Sequence, residues 1–86
     1  METLSLVDEI LTDERNGWLR ILMPKDKSIY VGCRRVVKVF DAITHQMSFE
    51  FELPKSDSVY SLAHLNHLIF AGTVSGTIYV KRFLLL

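Results

Sequence analysis

Residues 67–86 read HLIFAGTVSGTIYVKRFLLL, and residues 28–42 read SIYVGCRRVVKVFDA. Both phrases run in one order: an apolar pair, a glycine, a polar turn, then a second apolar run. At an offset of forty positions Ile29 meets Ile69, Tyr30 meets Phe70 and Gly32 meets Gly72, and upstream Leu19 meets Val59 and Leu22 meets Leu62. One extra residue in the second copy, Gly76, moves the offset to forty-one, so that Val37 meets Ile78 and Val39 meets Val80. Self-similarity at this period marks a repeat architecture, in which each supersecondary unit buries its faces against its neighbours.

Within each copy the apolar and β-branched residues fall in short runs separated by turn residues, which predicts strands. The predicted strands cover residues 18–23, 29–33, 36–41, 47–53, 59–63, 68–73 and 77–83. The first follows Asn16-Gly17, a hairpin signal, and is expected to stop before Pro24, which cannot donate to a ladder. Residues 47–53 (MSFEFEL) alternate, placing Met47, Phe49, Phe51 and Leu53 on one face. Residues 7–11 fit either a helix or a strand: Leu4, Val7, Ile10 and Leu11 make an apolar stripe, while the repeat asks for a strand there. Gly72, aligned with Gly32, is expected where a side chain would intrude on strand packing.

Composition bounds the function. The chain has 86 residues, enough for one small domain whose core is marginal without a partner. Ten basic and ten acidic side chains cancel, which argues against nucleic acid or an anionic membrane as the main ligand. Cys33 is the single cysteine and has no internal disulfide partner, which points to a reducing, cytoplasmic setting. The acidic N-terminal stretch lacks the basic flank of a signal peptide, and no apolar run is long enough for a membrane helix.

The residues carry no catalytic constellation. His64 and His67 sit three apart but flank a turn, with no third ligand near in sequence. Ser58, Ser61 and Asp57 lack the strand–turn–helix context of a nucleophile elbow and read as a polar turn. Gly72 to Gly76 is not a phosphate loop, because no Lys-Ser or Lys-Thr follows. No enzyme, cofactor or metal is therefore expected. Arg34, Arg35 and Lys38 form a small basic cluster, able to face an acidic peptide or simply to keep a sheet edge soluble.

The chain resembles the WD-repeat β-propeller family. The matching residues are 59–62 for an inner strand, Ile69-Phe70-Ala71-Gly72 for a second strand, Ser75-Gly76-Thr77-Ile78 for the turn that usually reads Asp-Gly-Thr-Ile, and Phe40-Asp41 in place of the Trp-Asp pair. The resemblance implies an all-β fold of two four-stranded antiparallel propeller-type blades in an incomplete propeller. Repeat 1 would cover residues 4–41, repeat 2 residues 47–83, and 84–86 a tail, with each repeat's first strand joining the preceding blade. No Gly-His pair precedes either inner strand and Lys81-Arg82 replaces Trp-Asp in the second copy, so the buried hydrogen-bond network of strong repeats is expected to be absent.

The function the resemblance implies is a non-catalytic protein–protein interaction module or adaptor, working through the loops of one rim. Those loops are residues 13–17, 34–35, 55–58 and 74–76, nominating Asn16, Trp18, Arg34, Arg35, Lys55, Asp57 and Ser75 as contacts with a protein partner. The alternative is a small oligomeric, lectin-like ring whose pockets form between blades. Two blades cannot close a ring, so the expectation is either a homo-oligomer of two-blade chains or a piece truncated from a longer propeller, with KRFLLL as a foreign tail.

Overall fold

The computed structural model describes residues 5, 6, 8–10, 19–54 and 57–83. The described residues form seven strands and no helix: β1 (Ile21–Lys25), β2 (Ser28–Gly32), β3 (Val36–Asp41), β4 (Met47–Glu52), β5 (Val59–Leu65), β6 (Leu68–Thr73) and β7 (Ile78–Arg82). They make two antiparallel sheets, a four-stranded one in the order β1-β2-β3-β4 and a three-stranded one in the order β5-β6-β7. The chain is thus all-β, but the second sheet has three strands where four were expected. The position beside β7 that β4 occupies beside β3 has no strand among the described residues.

The repeat is written into the backbone. Asp26 and Asn66, equivalent at the forty-residue offset, both take left-handed φ, 56° and 54°, in the two-residue turns β1–β2 and β5–β6. Arg35 and Gly76, equivalent at forty-one, do so in the next turns, at 58° and 92°. The same turns close on matching hydrogen bonds, from Cys33 N–H to Val36 carbonyl at 3.0 Å and from Thr73 N–H to Thr77 carbonyl at 3.1 Å. Short polar residues and glycine enter the left-handed region at low cost, which is why Asp, Asn and Gly hold three of the four positions.

Several local expectations shift. β1 continues through Pro24, which pairs with Ile29. Because β1 is an edge strand, the missing N–H costs little there. Trp18, at the start of the predicted first strand, lies outside the described residues, as do Val7 and Leu11; Asp8, Glu9 and Ile10 between them have no regular secondary structure. In β4, Met47 pairs with Phe40 whereas Phe49 pairs with Val39. The bulge at Ser48 moves Met47 off the face that carries Phe49 and Phe51.

The sheets pack face to face. Met23, Tyr30, Val37 and Val39 of the first sheet meet Val59, Ile69 and Ala71 of the second in one buried cluster, with Leu53 at its rim end. β5 runs against β1 and β2. Phe83, just past β7, joins this core: its ring lies 5.2 Å from Phe49, 5.9 Å from Phe51 and 6.0 Å from Tyr30, centroid to centroid. Its N–H donates to the His67 carbonyl at 2.8 Å. Lys81 and Arg82 belong to β7, and the Lys81 ammonium sits 5.9 Å over the Phe51 ring. Lys81 to Phe83 are therefore part of the second sheet and its core, while residues 84–86 lie outside the described residues.

The opposite face of the first sheet carries a smaller cluster of Val31, Cys33, Val36 and Phe40, onto which Ile10 packs. Asp8 anchors this segment through a 2.6 Å contact between its carboxylate and His45 Nδ1. That contact, with the Glu9 N–H, holds the Asp8 carboxyl below its usual range.

Candidate interaction rim

One end of the molecule collects the turns β2–β3 and β6–β7 and the connection from β4 to β5. The connection is sewn to the first turn by backbone hydrogen bonds: Leu53 N–H to Arg35 carbonyl at 2.7 Å, Arg35 N–H to Asp57 carbonyl at 2.5 Å, and Val59 N–H to Cys33 carbonyl at 3.1 Å. Arg34 and Ser58 form an antiparallel bridge. On the other side Val74 N–H donates to the Ser58 carbonyl at 3.1 Å. Three segments distant in sequence thus meet as one continuous backbone surface. Of the seven nominated residues, Arg34, Arg35, Asp57 and Ser75 lie on it, while Asn16, Trp18 and Lys55 lie outside the described residues.

The four do not play equal parts. Arg34 and Arg35 are exposed, with Arg35 Nη2 3.9 Å from Glu52 Oε2, a loose and solvated pair. Lys38, read with them as a basic cluster, is buried in β3. The alternation of a strand turns position 38 away from position 35's turn and onto the outer face, so the basic cluster reduces to two arginines.

Asp57 departs furthest from expectation. It is only 9% exposed, and its carboxylate is occupied internally. The Ser75 hydroxyl donates to Asp57 Oδ2 at 2.5 Å, and the backbone N–H groups of Ser58 and Ser75 donate to Oδ1 at 3.0 and 3.3 Å. The Thr73 hydroxyl, 3.2 Å from the Ser75 hydroxyl, donates to the Thr77 carbonyl at 2.8 Å. Asp57, Thr73, Ser75 and Thr77 thus form a part-buried polar network that uses neither a Gly-His nor a Trp-Asp pair. Asp57 braces the connection against the β6–β7 turn and is not free to contact a partner. The signal was available: an aspartate eighteen residues before the serine of a Thr-x-Ser-x-Thr turn offers a carboxylate to three hydroxyls.

These donors, the Ser75 hydroxyl first, hold the Asp57 carboxyl below its usual range. A depressed folded-state pKa adds stability that is fully present above the ordinary carboxylate value and is lost as the pH falls through the folded-state value. Asp41 acts in the same sense, because its Oδ1 accepts the Thr44 and Ile43 N–H groups at 2.8 Å, and so does Asp8. The melting temperature is accordingly expected to fall as the pH drops below about 4. Asp57→Asn should lower it at pH 7 and make it less steep in acid; melts from pH 7 to pH 3 check both, and an unchanged profile would contradict the bracing role.

Cys33 is fully buried, and that burial pushes its thiol pKa up, keeping it protonated and unreactive. His64 lies in β5 and His67 in the β5–β6 turn, beside Lys25 and Asp26 at the end opposite the rim. Among the described residues no group of three or more His, Cys, Asp or Glu is arranged to hold a metal ion. Among them, too, no helix is long and apolar enough to cross a membrane.

Fold and rim together define an all-β protein of two stacked antiparallel sheets joined by a hydrogen-bonded strap. No family model, curated protein or solved structure matches the chain.

Proposed function

We propose that the chain is a non-catalytic protein-interaction module built from two WD-like propeller units, with the rim of Arg34, Arg35, Ser58 and Val74 to Gly76 as its contact surface. The observation that carries this reading is the convergence of three loops onto one rim, held by backbone hydrogen bonds and braced from beneath by Asp57. Such a surface is rigid before a partner arrives, so binding costs little ordering entropy. The offset of forty then forty-one residues, reproduced in turn dihedrals and turn hydrogen bonds, supports the two-unit reading, as does the sheet order β1-β2-β3-β4, which a propeller blade would also have.

Two exposed arginines, of which Arg35 is only loosely paired with Glu52 and neither engages the internally occupied Asp57 carboxylate, suit an acidic peptide segment. The test is binding of a fluorescent peptide series graded from neutral to strongly acidic, at two salt concentrations. Affinity should rise with acidic content, fall with salt, and drop about tenfold in Arg34→Ala or Arg35→Asn, the second chosen because asparagine tolerates the left-handed backbone. Equal binding of neutral and acidic peptides, or no response to either substitution, would refute the rim assignment.

One observation favours the lectin-like alternative: an open cleft between the sheets, about 200 Å³, is lined by Phe51, Tyr79 and Lys81. A stabilising shift in melting with an uncharged sugar, independent of metal, would support that reading over the rim.

A further inference from the structure

The repeat and the packing disagree in an informative way. Val37 and Val39 are 0% exposed in the contact between the sheets, yet their repeat equivalents Ile78 and Val80 are 66% and 55% exposed. Tyr30 is buried there, and its equivalent Phe70 is only half-buried. The reverse holds on the other sheet: Val59 and Ile69 are buried, while their equivalents Leu19 and Ile29 are exposed and half-buried, and Leu22, equivalent to half-buried Leu62, is exposed. The outer face of the second sheet therefore repeats, at Phe70, Ile78 and Val80, the apolar positions of the first sheet's buried face, with Ser61 and Ala63 standing where that face has Ile21 and Met23. On the outer face of the first sheet Leu19, Leu22 and Ile29 match Val59, Leu62 and Ile69 in the same way, beside Val31 and Phe40, which are already buried with Ile10 packed against them.

We propose that copies of this chain stack head to tail, with the Phe70, Ile78 and Val80 face of one copy seated on the Leu19, Leu22 and Ile29 face of the next. The contact repeats between molecules the sheet-on-sheet packing already present within one. The receiving face is a groove of about 270 Å³ lined by Leu19, Leu22, Ile29, Val31 and Phe40, with Asp8 and Ile10 along it. The Asp8–His45 contact ties that segment to the β3–β4 turn, and Leu22 stays open on the edge strand. Exposed apolar faces of this kind associate, and an interface between two different faces propagates from copy to copy. The inference concerns the sheet faces and does not depend on the rim.

The experiment is sedimentation of the full chain across a concentration range, beside Val80→Glu and Leu22→Glu. Both side chains are exposed, so each variant should keep the wild-type circular dichroism and melting; Ile78→Lys and Leu19→Lys serve the same purpose if either fails to fold. The unaltered chain should associate with rising concentration, and each variant alone should associate at least about tenfold more weakly. An equimolar mixture of the two variants should form a heterodimer, because one keeps the donating face and the other the receiving face. A wild type that stays monomeric would overturn the proposal and leave the faces to further units of a longer chain or to another protein. So would a Leu22→Glu chain that still self-associates while Val80→Glu does not, which means like faces pair, or a mixture without heterodimer.

Discussion

Gly32→Val is expected to lower the melting temperature by about 10–20 °C. A Cβ at position 32 would stand 2.5 Å from Ile21 Cγ2 and 2.7 Å from Val59 Cγ1, in the plane where the two sheets meet. Val59 is fully buried and cannot swing away. Overpacking a core costs about 1–3 kcal/mol, and each kcal/mol moves the midpoint of a domain this size by roughly 4–8 °C. Gly72 is the built-in control. A Cβ there meets the hydroxyl of Ser61, an exposed side chain that can rotate, so Gly72→Val should produce a much smaller shift. Equal shifts in the two variants would mean that the sheets do not pack on the Gly32 side.

Ile69→Ala should destabilise the chain by about 2–5 kcal/mol, and Ile29→Ala by clearly less. The two isoleucines occupy the same repeat position on second strands, so local propensity and transfer chemistry are alike. Their surroundings are not: Ile69 is 1% exposed and packs between the sheets, whereas Ile29 is half-buried on the outer face. Truncating Ile69 leaves a cavity that neighbouring strands cannot collapse; truncating Ile29 mostly exposes a smaller surface to water. Urea unfolding of both variants measures the difference, and equal losses would argue against the buried assignment of this face. At concentrations where copies stack, the Ile29 loss should grow, which links this measurement to the association experiment.

Most of the strand list was legible from the sequence because turn chemistry is local. Asp26-Lys27 and Asn66-His67 close two-residue hairpins, Gly76 and Arg35 take the left-handed turn positions, and 36–41 and 68–73 emerge with the bounds their apolar runs suggest. The limits of local reading show at Pro24, which an edge strand accepts, and at Met47, which a bulge at Ser48 turns to the other face. A period-two pattern cannot reveal an inserted residue in the ladder, since the insertion is defined only against the partner strand.

The rim was half legible. Exposed Arg34 and Arg35 stand where the repeat places a turn, but Asp57 and Lys38 look in sequence like any charged residues of a polar turn and a solvated face. Asp57 is buried because the β4–β5 connection crosses the β6–β7 turn, bringing Ser75 within hydrogen-bond reach over eighteen residues of chain. What the sequence alone determined is the set of strands, their turns and the two-fold recurrence, all of which follow from side-chain period and backbone preference over a few residues. Which face of each sheet is buried was decided only by tertiary structure. Val37 and Ile78, or Val39 and Val80, are interchangeable as strand residues, and only the presence of a second sheet against one of each pair removes it from water.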